Sequence, residues 1–512
     1  MSSVRPDEYQ VGAEEKGIDD LAHVEDPNTE ELVVDADAKG FVDHTLVVDE
    51  ATNRRLLRMI NWRVLPCMCL CYLGQGLDKG AIGTASIMGL QKDTGMVGQD
   101  YALATTTFWA GLIIAQFPAN RLVQILPLGK FMAGSLVLWG ITLIIMAVAK
   151  SAAAILALRA LLGVFESVCG PVLLAMSVMW YRRSEQPSVV NFYQAFVGVS
   201  TVISSLLGYG FYQVQGGKLL SWQYVFLIIA AVSILLGAVV FTILPDSPPK
   251  ATCWSEHDRK LMVERVRVND QGIKNPKWNW DQFYEAIKDV YVYMLFGLTF
   301  MNATVVGGIG TFSNLLVNQA FGFDVLHAQL LSMPTGTVIV LIYALTAWIV
   351  TKTNQTIYVL LGLAVFNWAG TITLITVAPS ASTRGGLLVA FYILQCYQGQ
   401  NPLIFQLCSR NVAGQTKRTV AYAASFAGWA GGNAIGPLLF YSGWAPRYLN
   451  TLYIHLAFYG AHAILIVATR LLLVQRNKKK EAAMPPTGDA SQHLHAFEDL
   501  TDRQNPDFRY IM

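Results

Sequence analysis

Residues 222–249 read WQYVFLIIAAVSILLGAVVFTILPDSPP, an apolar run that ends at a proline-rich polar turn. As a helix, the apolar part is long enough to cross the ~30 Å hydrocarbon core of a bilayer. Comparable runs recur on both sides of it, six up to residue 244 and six beyond residue 288. We therefore predict twelve membrane helices, near residues 63–87, 102–120, 130–149, 153–179, 188–214, 222–244, 289–317, 326–350, 356–378, 386–410, 418–441 and 449–474.

Two sets of six helices indicate an internally duplicated membrane protein. The polar segment between them, from Pro245 to Lys288, contains a predicted amphipathic helix with Ser255 as its N-cap. We expect an all-α fold with two pseudo-symmetric six-helix bundles. The expected divisions are a mostly disordered acidic cytoplasmic tail at 1–60, bundles at 61–245 and 289–475, a cytoplasmic linker at 246–288 and a cytoplasmic tail at 476–512.

Composition agrees with a protein whose main partner is the lipid bilayer. Of the 512 residues, 53% are hydrophobic and only 14% are charged, whereas soluble domains carry about 25% charged residues. This excludes a string of soluble domains, a disordered or fibrous chain and a nucleic-acid-binding protein. The sequence shows no metal cluster, phosphate loop or nucleophile–base set, so we expect no cofactor, no metal site and no enzyme.

Charge is divided unevenly along the chain. Fifteen of the 35 acidic residues fall within residues 1–50, and this stretch lacks the basic start and short apolar run of a signal peptide. Basic residues lie at the start of the first predicted helix and just after the end of the last one. By the positive-inside rule, both termini are expected in the cytoplasm. The flanking residues are Arg54, Arg55, Arg58, Arg63, Arg476, Lys478, Lys479 and Lys480.

Four ionisable side chains fall inside predicted membrane helices, where each costs at least ~2.5–3.5 kcal/mol. From the helical rise, Asp78 and Arg159 lie at nearly the same depth and are expected to face each other. Glu166 shares a face with Arg159 but lies about 10 Å away along the helix axis, without an expected partner. It is therefore a proton-coupling candidate. The open alternatives are a purely structural Asp78–Arg159 pair, a Lys79 that reaches to the interface, and a Glu166 held by a hydroxyl or backbone group.

The second half offers amides in place of charges. Dense polarity in the tenth predicted helix and Asn302 in the seventh suggest hydrogen-bond donors for an anionic solute, with interhelical bonding as the alternative. In the eleventh, Gly428, Gly432 and Gly436 predict a close helix contact rather than a gating hinge. The candidate side chains of the tenth helix are Tyr392, Gln395, Gln398 and Asn401.

Several stretches together resemble the major facilitator superfamily, in its anion:cation symporter branch and nearest the fungal allantoate permease family. They are LDKGAIGTASIMGLQKDT (77–94), FPANRLVQILPLGK (117–130), LRALLGVFESVCGP (158–171), WYRRSEQP (180–187), LPDSPPKA (244–251), GGIGTFSNLLV (307–317), NVAGQTKRTV (411–420) and GNAIGP (432–437). The resemblance implies the major facilitator fold and alternating access. It also implies anion binding by Lys79 and Arg159, and proton coupling by Asp78 and Glu166. A loop that latches the two halves would comprise Asn120, Arg121, Gly129 and Lys130.

From these features we predict a monomeric plasma-membrane transporter that takes up a small organic anion, carboxylate or ureide-like, by symport with protons. Lys79 stands where many relatives outside this subgroup carry Arg, and Gln116 where many relatives carry an acid, so the solute itself is left open. Two alternatives also stay open: an exporter of a metabolite or toxin on the same fold, and a solute sensor without net transport.

Overall fold

The computed structural model describes residues 48–182, 184–214, 217–267, 278–483, 500–506 and 508–512. The acidic stretch at 1–47 lies outside the described residues. Within those ranges, the regular secondary structure is helical. Ten of the helices described are long and apolar enough to cross a membrane.

The first six spans follow the predicted order. They are Glu50–Ile87; Asp100–Ile125; Leu128–Ala147; Ala152–Glu166 with Cys169–Trp180; Gln186–Gln194 with Phe196–Tyr212; and Ser221–Ile243. Two linker helices follow, Glu256–Arg267 and Trp280–Lys288. Ser255 accepts a hydrogen bond from the backbone N–H of Asp258 at 3.1 Å, which confirms the predicted cap.

The second six spans also follow the predicted order. They are Val290–Leu315 with a π-helical turn Leu316–Ala320; Val325–Leu331 with Met333–Thr353; Thr356–Thr376; Arg384–Leu394, a 3₁₀ segment Gln395–Gly399 and Gln400–Asn411; Gln415–Ile435 with a 3₁₀ turn Gly436–Leu439; and Leu449–Ala483. The tenth and eleventh of the twelve are not among the ten apolar helices. Their amide and basic side chains lower their hydropathy.

Both predicted tails are shorter than expected. The first helix begins at Glu50 because the Asp49 side chain caps it, accepting from the N–H of Thr52 at 3.1 Å. Leu56 and Ile60, one turn apart, are fully buried, so residues 50–60 are not part of a disordered tail. At the other end, the last helix continues to Ala483, and described residues of 500–512 pack against the protein, with Asp502 and Tyr510 buried.

Close helix contacts depend on small side chains. The seventh and eleventh spans pack along much of their length. A Cβ added at Gly436 would lie 2.1 Å from the carbonyl oxygen of Thr304, and one at Gly432 would lie 2.4 Å from that of Phe300. The predicted packing role of these glycines is therefore confirmed, since any side chain would force the two helices apart.

Hydrogen bonds join the two bundles on one side of the molecule. We call the side where the first span begins and the last span ends the terminal side, and the other the opposite side. On the opposite side, the Tyr101 hydroxyl donates to the carbonyl oxygen of Thr311 at 2.8 Å, and Gln329 Nε2 donates to that of Thr84 at 3.2 Å. The Thr106 hydroxyl donates to the carbonyl oxygen of Ala434 at 2.8 Å. These bonds join the first bundle to the second.

Candidate functional site

The four intramembrane charges form two ion pairs. Arg159 Nη1 lies 3.6 Å from Asp78 Oδ2, and Lys79 Nζ lies 2.7 Å from Glu166 Oε1. The expectation that Glu166 lacks a partner is therefore wrong. Consecutive side chains on a helix point about 100° apart. Asp78 and Lys79 therefore contact different turns of the fourth span, at Arg159 and at Glu166. We call Asp78, Lys79, Arg159 and Glu166 the intramembrane charge cluster.

This cluster is buried and sparsely hydrogen-bonded. Beyond the two ion pairs, the carboxylate oxygens of Asp78 and Glu166 accept no hydrogen bond from the residues that the structure describes, and Arg159 Nε donates none there. Buried charges normally satisfy their remaining hydrogen-bonding positions. The cluster therefore has capacity left for a proton, water or an anionic solute.

Of the four side chains, Lys79 has by far the greatest accessibility. Its side chain is 34% exposed, against 3% for Arg159 and 0% for Asp78 and Glu166. The sequence predicted that Lys79 and Arg159 both contact solute. In this structure Arg159 is covered, and Lys79 is the cation that a solute can reach directly.

Aromatic rings surround the two cations, and sequence reasoning missed them. Lys79 Nζ lies 5.3 Å from the ring centroid of Trp109 and 6.0 Å from that of Phe108. Arg159 Cζ lies 5.8 Å from the Phe108 centroid. Trp109 meets Trp429 of the second bundle edge to face, with centroids 4.8 Å apart and rings at 89°. The available signal was the pair Phe108-Trp109 within an apolar span.

The polar side chains of the second bundle have different roles. The Tyr392 hydroxyl donates to the carbonyl oxygen of Leu331 at 2.6 Å, which supports interhelical bonding over solute binding. Gln395 is buried, and its Nε2 lies 3.5 Å from the carbonyl oxygen of Phe391. Gln398 and Asn401 are half-buried. Asn401 Oδ1 and both amide atoms of buried Asn302 have no hydrogen-bond partner in the described part of the chain.

The predicted latch residues lie at the terminal side. Lys130 Nζ is 3.8 Å from Asp246 Oδ2, and its backbone N–H donates to Asp246 Oδ1 at 3.1 Å. A Cβ on Gly129 would lie 2.9 Å from the carbonyl oxygen of Leu244. These contacts stay within the first bundle and its exit to the linker. Asn120 and Arg121 are exposed near the end of the second span, and a latch between the halves stays a prediction.

A second buried ion network, which the sequence did not reveal, centres on Lys417. Lys417 Nζ lies 2.8 Å from Glu285 Oε1, 2.9 Å from Asp289 Oδ2 and 2.7 Å from Asp502 Oδ1. Asp289 also pairs with Arg476 and, at 3.1 Å, with Arg503. We call these six residues the terminal-side network. It joins the second linker helix, the eleventh and twelfth spans and the 500–512 segment.

Hydrogen bonds complete the terminal-side network. The Tyr510 hydroxyl donates to Asp502 Oδ2 at 2.7 Å, and the Thr501 hydroxyl donates to Glu285 Oε2 at 2.9 Å. Burial raises the pKa of Asp289, but the hydrogen bond from Arg476 and the charge of Lys417 outweigh it. The pKa of Asp289 is therefore lowered from 3.8 to about 2. Asp289 is therefore in its charged form at neutral pH.

Comparison with known proteins decides the family. A profile described as Major Facilitator Superfamily matches residues 68–496. The chain belongs to that superfamily. It is 33% identical over 507 residues to an uncharacterized transporter of Schizosaccharomyces pombe, covering 98% of this chain and 94% of that protein. It is 27% identical over 479 residues to the allantoate permease of Saccharomyces cerevisiae, covering 90% and 87% respectively.

A solved structure confirms the major facilitator fold. A bacterial homolog of the human lysosomal transporter Spinster, in an inward-facing and unoccupied conformation, aligns with a TM-score of 0.62 at 15% identity. The alignment covers 83% of this chain and 98% of that one. This superfamily member is therefore a multi-pass membrane transporter, as predicted, and not an enzyme.

Proposed function

We propose that this transporter moves a small organic anion together with a proton by alternating access. The observation that carries the proposal is the Lys79–Glu166 ion pair, in which a partly exposed cation is held by a buried carboxylate. An anionic solute and Glu166 compete for the same ammonium group. Protonation of Glu166 removes the competitor, so proton binding favours anion binding and, by linkage, anion binding favours proton binding.

Charge balance supports this coupling. Two cations and two carboxylates make the intramembrane charge cluster formally neutral. Adding one monovalent anion and one proton keeps it neutral, whereas adding the anion alone leaves a net negative charge in a low-dielectric site. We therefore expect one proton for each monovalent anion. Asp78 holds Arg159, which supplies positive charge without direct contact.

The second bundle would orient the solute. Gln398 and Asn401 are two half-buried amides of the tenth span, and both provide donors for carboxylate or ureide oxygens. Asn302 supplies a further amide in the seventh span. The allantoate permease relative makes allantoate, a carboxylate with two ureide groups, the first solute to test. The basic residues that precede the first span and follow the last support a cytoplasmic terminal side, and the plasma membrane is the expected location.

The test uses purified protein in liposomes with an inward proton gradient. Wild-type protein is expected to accumulate radiolabelled allantoate or one of a panel of monocarboxylates and ureides. Glu166→Gln should abolish proton-driven accumulation but retain exchange of labelled for unlabelled solute. As a matched control, Glu256→Gln removes an exposed linker carboxylate and should leave both measurements unchanged.

The outcomes separate the proposal from its alternatives. Proton-driven accumulation in Glu166→Gln liposomes would overturn the coupling role. Outward movement of solute, driven by protons that enter the liposome, would favour the exporter. Solute binding without flux by the wild-type protein would favour the sensor.

A further inference from the structure

Aromatic residues from both bundles meet beside Lys79. Trp109 of the second span is only 6% exposed and lies between Lys79 and Trp429. Trp429 and Phe426 of the eleventh span are half-buried, with ring centroids 5.4 Å apart. They therefore offer partly accessible aromatic surface where the two bundles meet.

The level of these rings matches that of the cation. Trp109 lies nine residues from the opposite-side end of its helix and Lys79 eight from the end of its own, which are about 13 and 12 Å along the axis. Beyond Trp109, the hydrogen bonds of Thr106 and Tyr101 close the two bundles together. Trp109, with Trp429 packed on its far side, thus lies beside Lys79 where the two bundles meet. Phe426 lies one turn nearer the terminal side than Trp429.

We propose that Trp429 and Phe426 select the solute, and that it is a carboxylate with a flat, π-conjugated body such as an aromatic ring or a ureide. Its carboxylate would bind Lys79 while its flat face packs on the two rings. Flat conjugated groups gain stacking and edge-to-face contacts with aromatic side chains that saturated groups of similar size do not gain. This inference rests on the proposed anion site at Lys79 and adds the chemical class of its ligand.

The test compares two probes of similar size and equal charge, benzoate and cyclohexanecarboxylate. Their binding to detergent-purified protein is measured by equilibrium dialysis with radiolabelled probe. Wild-type protein should bind benzoate roughly three- to tenfold more tightly than cyclohexanecarboxylate. In Trp429→Leu this ratio should fall to about one, and in Trp429→Phe it should be largely retained. Because the ratio is taken within one protein, partial unfolding of a variant does not alter it.

The chain offers a matched control for a tryptophan beside a lysine. Lys352 Nζ lies 4.9 Å from the ring centroid of Trp348, which is 57% exposed in the eighth span. Trp348→Leu should leave the benzoate preference unchanged. Three results would each overturn the aromatic selection. They are a benzoate preference that survives in Trp429→Leu, equal affinities of the two probes for the wild type, and no binding of either probe.

A further variant separates this inference from the proposed function. Lys79→Met should weaken both probes together, because both carry the carboxylate. If the wild type binds both equally and Lys79→Met binds neither, the anion site stands and the aromatic selection fails. If benzoate is preferred but Lys79→Met binds it normally, Lys79 is not the anion site and the proposed function fails.

Discussion

The intramembrane charge cluster and the terminal-side network differ in how many partners each charged group has. In the terminal-side network, Lys417 contacts three carboxylates, and hydroxyl groups occupy further carboxylate oxygens. In the intramembrane charge cluster, each cation has one carboxylate partner, and beyond these ion pairs the carboxylate oxygens and Arg159 Nε have no hydrogen-bond partner among the described residues. A saturated network resists exchange of its partners, whereas a sparsely bonded one can accept a proton or an anion. The first arrangement therefore suits stability and the second suits transport.

The largest expected effect on stability comes from Lys417→Met. It leaves the carboxylates of Glu285, Asp289 and Asp502 close together without their shared cation, and removing one partner of a buried ion pair costs about 3–5 kcal/mol. Denaturation of purified protein in detergent should show this loss. Lys288→Met, at an exposed position beside the network, should change stability by less than about 0.5 kcal/mol. Equal effects of the two changes would contradict a structural role for the network.

Arg159→Met breaks the other network and should separate stability from transport. The unfolding free energy should fall by only about 1–3 kcal/mol, because a proton can neutralise the Asp78 carboxylate that is left behind. Solute uptake into liposomes should fall roughly 30-fold or more. The double variant Asp78→Asn/Arg159→Met should regain stability but not uptake. Recovery of uptake in the double variant would show that this pair is only structural.

A smaller loss of stability is expected from a change at Tyr510, which tests the hydrogen bonds of the terminal-side network. Tyr510→Phe removes the hydrogen bond that the Tyr510 hydroxyl donates to Asp502. It keeps the aromatic ring, and it keeps the ion pair between Asp502 and Lys417. Stability should fall by about 1 kcal/mol, with uptake per folded molecule unchanged. Tyr441→Phe, at an exposed tyrosine on the opposite side, serves as the control. A loss as large as that of Lys417→Met would mean that the 500–512 segment, rather than the lysine, holds the network together.

The smallest expected effect is that of pH on the terminal-side network. The pKa of Asp289 is lowered to about 2 in the folded protein, so its stabilising contribution is complete above about pH 4 and is lost as pH falls from about 4 to 2. Melting temperature differences between the wild type and Asp289→Asn should therefore be constant from pH 5 to 8. A difference that already changes between pH 5 and 8 would contradict the lowered pKa of Asp289.

The sequence predicted the spans because long apolar runs have few alternatives to a membrane helix. It also predicted the similar depth of Asp78 and Arg159, since the helical rise is constant. It did not predict the Lys79–Glu166 pair, because rotation of one helix against another depends on packing throughout the bundle. The terminal-side network was missed for a similar reason: its charges lie far apart in the chain and only the fold brings them together. The sequence did not distinguish Trp109 and Trp429 from other apolar residues, because they belong to different bundles and only the fold brings them into contact.

The tenth span carries a 3₁₀ segment, Gln395–Gly399, between two α-helical parts. A 3₁₀ helix rises about 2.0 Å per residue with three residues per turn, against 1.5 Å and 3.6 residues for an α-helix. Rewinding these five residues as α-helix would shorten the span by about 2.5 Å and turn its terminal-side part by about 100°. The side chain of Asn401, just beyond the segment, would then point in a different direction around the helix axis, while Tyr392 stayed in place. Such a change would alter which amide side chains of the tenth span face the interior of the bundle, without tilting the helix.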